Sequence, residues 1–395
     1  VYVINTCTVT GESDRKSRQL IRRAVKTGGG TAVVMATGCF TQVSPEEARK
    51  IEGLDYIGGN KNKTILAEKA KELLQKKREG DLTVQFDISD IASESVFETM
   101  TVHTSDRTRA FVKIVDGCQN NCSYCIIPKA RGPVRSKPQA DVLAELSGLI
   151  QNDYKEIVLT GIETAEYGRD LEDTNLLKLL CAADSLPGLS RIRLGSLDPT
   201  LFRPEFVRQI ATLPKVMPHF HISLQSGSDR ILAMMRRKYN TAQFYEKLCL
   251  LREHIPNVTF TTDMIVGFPG ETEEMFAETL AFTEKCSFLY AHIFPYSKRS
   301  GTDAAEMKGQ IPEEVKKQRA AILKEKMMSV RIKEMERYSN TCLSILAEKV
   351  QDGAVFGYTT NYIEVHATGT SAHGEIIQVS LEKPSCDGEY MIAKI

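Results

Sequence analysis

Three cysteines stand within eight positions, Cys118, Cys122 and Cys125, in the segment DGCQNNCSYCIIP. Thiolates at this spacing hold metal, and their number bears on the kind of site. A structural zinc ion takes four ligands, and so does an iron–sulfur cluster that only passes electrons. A 4Fe–4S cube on three thiolates leaves one iron without a protein ligand, open to a substrate molecule. A zinc site would show paired short spacings, and no second CxxC follows. A ferredoxin would need a fourth nearby cysteine and is normally a much smaller protein. A chance cluster of core cysteines fits poorly with a loop so rich in polar residues.

The flanking pattern says where such a loop would sit. From residue 110 a βα series begins, with strand candidates at 111–115, 156–160, 191–196, 219–224, 258–266 and 288–294. Between two of them Val142, Leu143, Leu146, Leu149 and Ile150 follow helical spacing. Six βα units predict a partial, open βα barrel, which keeps its chemistry in loops at the C-terminal ends of its strands. The cysteine segment directly follows the first strand. Residues 1–79 have the shorter βαβ rhythm of a small α/β domain with a parallel sheet. Within it Ser44 reads as an N-cap, with Pro45 at the first helical position. Residues 80–107 lose the rhythm and read as a linker, and 108–338 hold the barrel with a long charged helix at 312–338. Residues 339–395 switch to short strands divided by Gly and polar turns, a small β-barrel.

Composition narrows the classes. The chain has 395 residues, 42% hydrophobic and 26% charged, which suits a soluble protein of two or three domains. Lys plus Arg equals Asp plus Glu, 51 each, so an RNA partner would be met by local patches and not by a global field. No apolar run approaches a membrane span, and no leader reads as a signal peptide. Ten cysteines are too sparse for a disulfide scaffold, and their clustering predicts metal binding in a reducing compartment, the cytoplasm. The chain opens abruptly on the strand-like VYVINTCTVT, from which we expect that residues are missing before it.

The CxxxCxxC spacing after the first barrel strand resembles that of radical S-adenosylmethionine (SAM) enzymes. Tyr124, just before the third cysteine, matches the aromatic residue usual there. The resemblance implies that the open iron chelates the methionine moiety of SAM and that reduction yields a 5′-deoxyadenosyl radical. Further segments, spread over nearly the whole chain, resemble the methylthiotransferases of that superfamily. NTCTVT at 5–10 and GCFTQ at 38–42 look like the second and third cysteine motifs of their N-terminal domain. By that likeness Cys7 and Cys39 are ligands of an auxiliary 4Fe–4S cluster, whose first cysteine in the family lies before NTC. LTGIETAEYG, at 159–168, resembles the loop that helps to hold SAM's amino group, which assigns Gly161 and Glu163 to SAM. DMIVGFPGET resembles a further family segment, where Gly267 and Gly270 would let backbone approach the ligand; a tight βα connection is the plainer reading.

RIRLGSLDP, HFHISLQSGSD and FPYSKRSGTDAAEM look most like the branch that acts on N6-threonylcarbamoyladenosine in tRNA. GYTTNYIEV resembles that branch's RNA-associated TRAM domain. The resemblance implies methylthiolation of carbon 2 of that nucleoside at position 37, in the anticodon stem-loop, with an electron donor and a sulfur source among the partners. Sister branches act on isopentenyladenosine in tRNA or on a ribosomal-protein aspartate. A non-enzymatic RNA-binding protein with a structural cluster is the alternative from another class. Three basic groups are phosphate candidates: Arg15, Lys16, Arg18, Arg22, Arg23 and Lys26; Lys129, Arg131, Arg135 and Lys137; and Arg236, Arg237 and Lys238. Cys181, Cys249 and Cys286 read as core, and His219 and His221 as a polar pair facing the barrel interior without a third metal ligand.

Overall fold

The computed structural model describes residues 1–81, 83–101 and 107–395. They form two compact units. One holds residues 1–100, 116–135 and 297–306, and the other 101–115, 136–296 and 307–395. This differs from the expected division, because the cysteine segment folds with the N-terminal domain and not with the βα series that precedes and follows it. Among the described residues no helix is long and apolar enough to cross a membrane.

The first unit is built on four parallel strands in the order β1 (Tyr2–Thr6), β2 (Val34–Gly38), β3 (Tyr56–Gly58) and β4 (Gln85–Asp87). Every residue of β2 is buried, because both faces of the sheet are covered. Ile21, Ala24, Phe40 and Leu54 pack one face and Leu73 the other. That is why this strand reads as a continuous apolar run. The helix Gly11–Gly28 starts where Thr10 accepts the Ser13 N–H, and ends at Gly29 in the left-handed region. Helix Pro45–Arg49 does begin after Ser44, but that serine makes no side-chain cap bond. β4 lies inside the expected linker. Three residues are too few for an alternation to be legible, and only pairing with β3 defines it. Residues 82 and 102–106 of that segment lie outside the described residues.

In the βα series, β5 (Ala110–Asp116), β6 (Arg135–Ser136), β7 (Glu156–Gly161) and β8 (Arg191–Leu194) form one sheet in the order β6-β5-β7-β8. β9 (His219–His221), β10 (Thr259–Val266) and β11 (Tyr290–Pro295) form another in the order β11-β10-β9. Single parallel bridges at Ile192 and Val216, and at Leu197 and Ile222, join the two between β8 and β9. With β6 set aside, the other six strands make the open parallel barrel expected, with β11 at an edge.

The C-terminal strands are β12 (Cys342–Gln351), β13 (Ala354–Thr359), β14 (Glu364–Thr368), β15 (Ile376–Pro384) and β16 (Met391–Lys394), closed in the order β12-β13-β14-β16-β15. Its core is Ile345, Val355, Val365, Val379, Leu381 and Met391. Arg191 and Arg193 of β8 tie this barrel to the βα series. They donate to the carbonyls of Ser344, Tyr358, Thr359 and Thr360 and both pair with buried Glu156. Burial works to raise the Glu156 carboxyl, but Arg193, Arg109 and Arg191 outweigh it and hold it below its ordinary range.

Candidate active site

β5 ends at Asp116 and the cysteine loop follows. Two glycines let its ends cross. Gly117 has φ 76°, and a Cβ there would lie 1.8 Å from the Pro133 carbonyl oxygen. Gly132 has φ 72°, and its Cβ would lie 2.1 Å from the Ile91 carbonyl oxygen. No other residue type fits either position. The Cys118 N–H donates to the Gly132 carbonyl at 3.1 Å, and the Cys125 N–H to the Cys122 carbonyl at 3.1 Å. The Asn120 N–H is directed at Cys118 Sγ, 3.4 Å away. All three cysteines are half-buried, and Tyr124 occupies the turn between the second and third.

Cys7 and Cys39 follow the last paired residues of β1 and β2, where Thr6 is opposite Gly38. They stand side by side at one edge of the sheet, as expected. Gly38 permits this: at φ 109° its Cβ would lie 2.6 Å from the Thr6 carbonyl oxygen. Cys7 is exposed and its backbone is tied both ways to Ser17 Oγ. Cys39 is 4% exposed. Its Sγ receives the Arg131 Nε–H at 3.1 Å and the Asn60 Nδ2–H at 3.4 Å. Arg131, on the helix Ile127–Arg131 that leaves the cysteine loop, also donates from Nη1 to Asp116 at 3.2 Å. One guanidinium thus joins the edge of the N-terminal sheet to the loop of three cysteines. Two N–H donors, one of them charged, converge on one buried sulfur, as hydrogen bonds to cluster-ligating sulfurs do. The donor set fits the iron–sulfur role.

In the second unit, Gly161 ends β7, where a Cβ would lie 2.5 Å from the Val115 carbonyl oxygen. Glu163 is buried and accepts the Asp198 N–H at 3.1 Å. Asp198 pairs with Arg237 at 3.0 Å. Burial, then the charge of Asp198, push the Glu163 carboxyl up to about 8, against the pull of Arg237. Gly267 and Gly270 have φ 70° and 81° in the turn after β10. The N–H groups of Gly267 and Phe268 are directed at the Glu271 carboxylate. The space beside Gly267 is taken by the Lys316 stem, 2.4 Å from where a Cβ would be.

Comparison with known proteins settles the family. Residues 112–283 match the radical SAM superfamily, and residues 1–59 match an uncharacterized protein family, UPF0004. The threonylcarbamoyladenosine tRNA methylthiotransferase MtaB of Bacillus subtilis is 40% identical over 402 residues, 99% of this chain and 88% of the relative. The chain belongs to the radical SAM methylthiotransferase family. MtaB of Thermotoga maritima is 37% identical, over 98% of this chain and 87% of the relative. The tRNA-2-methylthio-N(6)-dimethylallyladenosine synthase of Acetivibrio thermocellus is 33% identical, over 96% of this chain and 80% of the relative. Among solved structures, the radical SAM methyltransferase TsrM of Kitasatospora setae shares the fold, with a TM-score of 0.55 and 17% identity over 77% of this chain and 65% of that one. Family membership carries with it SAM and 4Fe–4S clusters as cofactors.

For a methylthiotransferase, the second basic group is not where sequence reasoning put it. Lys137 is buried against Glu145, Arg135 is buried and donates to the Arg131 and Pro133 carbonyls, and Arg131 faces Cys39. Only Lys129 of the four is exposed. In the third group Arg237 turns inward to Asp198, while Arg236 and Lys238 are exposed. The helix Gly11–Gly28 keeps Arg15, Lys16, Arg22, Arg23 and Lys26 exposed, with Arg15 paired to Glu12. Of the cysteines expected in the core, Cys286 is buried but Cys181 and Cys249 are exposed. His219 and His221 do share a partner, Thr261 Oγ1, at 3.0 Å each. Two residues that sequence reasoning missed join His221: ligand atoms of His221, Asp263 and His292 lie within 4.8 Å of one another. They come from three different strands, and no local pattern links them.

Proposed function

We propose that the protein transfers a methylthio group to carbon 2 of N6-threonylcarbamoyladenosine at position 37 of tRNA, using SAM and an electron donor. The observation that carries the reading is the bond from Arg131 to Cys39. A methylthio transfer needs a sulfur-bearing site beside a radical-generating one, and Arg131 leaves the CxxxCxxC loop to reach the Cys39 sulfur. When bound, a cluster on Cys118, Cys122 and Cys125 would supply the electron that cleaves SAM, and one including Cys7 and Cys39 would carry the sulfur.

The chain's own residues hold and orient these parts. Gly117 and Gly132 clamp the loop. Asn60 and Arg131 hold the Cys39 sulfur in place. In this reading Gly161 and Glu163 help to hold SAM, and an arriving ammonium group would draw the proton off Glu163 by favouring its charged form. Support for the threonylcarbamoyl substrate comes from the names of the relatives at 40% and 37% identity. The test offers reconstituted enzyme two tRNAs, one carrying threonylcarbamoyladenosine and one isopentenyladenosine. A methylthio product on the first alone is expected; product on the second alone would assign the chain to the other branch.

A further inference from the structure

Strand β11 carries Tyr290, His292 and Phe294 on one side, since alternate residues of a strand share a face. Ring centroids are 4.9 Å apart from Tyr290 to His292 and 6.4 Å from His292 to Phe294. Tyr290 is 42% and Phe294 43% exposed, while the intervening Ala291 is buried. A row of large rings left in water on an edge strand marks a contact surface. Phe111 of β5, 38% exposed, lines the same cavity of about 540 Å³ as Tyr290 and His292. A second cavity of about 360 Å³ is lined by Tyr290, His292, Phe294, Lys324 and Arg331.

Cations stand among these rings. The Arg331 guanidinium lies 5.6 Å from the Tyr290 centroid, and that of Arg107 5.3 Å from the Phe111 centroid. Arg331 donates to the Glu389 carbonyl, and its buried Nε has no hydrogen-bond partner among the described residues. Of the acidic groups on this wall, Glu364 already accepts the Tyr358 hydroxyl at 2.9 Å, Asp263 lies 3.2 Å from His221 Nε2, and Glu389 stands beside Arg331. Deeper in the larger cavity, His219 is 5% exposed with Nδ1 unsatisfied. Burial, then Arg193, hold this imidazole well below its ordinary range, so it is a neutral polar group.

Ring faces with cations between them are what unpaired nucleotides require, because bases stack and phosphates meet guanidinium and ammonium groups. We propose that Tyr290, His292 and Phe294, with Phe111, form a stacking surface for unpaired bases of the RNA loop. This rests on the tRNA reading above.

The test measures binding of a labelled anticodon stem-loop and of a blunt duplex made from its stem. Replacing both Tyr290 and Phe294 by Ala should weaken stem-loop binding about tenfold and leave the duplex unaffected, as loss of base stacking requires. Tyr290→Phe with Phe294→Tyr keeps both rings and should keep the parental affinity. A melting curve for each variant confirms folding. With 5-iodouridine in the loop, irradiation should crosslink to Tyr290, His292 or Phe294. If the parent binds and the double Ala variant binds equally well, the surface is wrong. Equal losses for loop and duplex would mean phosphate contact without stacking, and would also overturn it. So would a change in self-association with RNA affinity intact, which would make the edge an interface between copies. A parent chain that binds no stem-loop would instead sink the tRNA reading itself, and the surface with it.

Discussion

In the proposed reading Cys118, Cys122 and Cys125 would each supply a thiolate and leave the fourth iron of the cube open. Replacing any one by Ala should abolish formation of 5′-deoxyadenosine from SAM by reduced enzyme. Parental rates from any of the three variants would refute the ligand assignment. Glu163 makes a different claim at the same scale. Its carboxyl is pushed up to about 8 by burial and then by Asp198, above the unfolded value of about 4.3. The native chain therefore keeps this proton longer than the unfolded chain does. The stability it contributes is fully present below the unfolded value and is lost as pH rises toward about 8. Glu163→Gln keeps the neutral shape. Without SAM, it should melt like the parent in acid and at a higher temperature near the alkaline end of that window. Parallel melting curves across the window would mean that the carboxylate is charged in the fold.

Elements differ in how far their residues announce them. Gly117 closes the cysteine loop at positive φ with the Pro133 carbonyl 1.8 Å from where a Cβ would be. Gly117→Ala should cost ~2 kcal/mol or more, from strain and from that clash, and should lower iron binding with it. Gly80 is a control, with φ 84° and nothing within 4 Å of its Cβ; there Ala should cost only ~1 kcal/mol. Denaturant midpoints for both and iron content for the first decide, and equal costs would remove the clash from the account. The six barrel strands were legible because buried parallel strands are apolar runs between helical patterns. β13 was not: Gly357 interrupts it, and its place is set by close pairing with β12, where a Cβ on Gly357 would lie 2.0 Å from the Leu346 carbonyl oxygen. The candidate cysteines were legible by type and spacing. Their partners were not. Arg131 has the sequence signature of a solvated cation, and only the fold turns it toward Cys39. Cys181 and Cys249 sit among apolar residues in sequence, yet helix rotation carries them to the surface.

At the scale of the molecule, the C-terminal barrel is bonded into the βα series as well as following it. Glu156 lies 1% exposed between Arg191 and Arg193, and those arginines reach the carbonyls of β12, β13 and the turn after it. Removing residues 341–395 would take these acceptors away and open the arginines to water, losing the bonds and the packing that join the barrel to the βα series. The shortened chain should melt well below the parent; an unchanged melting temperature would show that the arginine contacts stabilise nothing. Nucleoside mass spectrometry of tRNA reads the reaction itself. Deleting the gene for this protein from its host should remove 2-methylthio-N6-threonylcarbamoyladenosine, leave N6-threonylcarbamoyladenosine in its place, and be reversed by returning the gene but not its Cys118→Ala form. Retention of the methylthio nucleoside in the deletion strain, or loss of the isopentenyl derivative instead, would contradict the account.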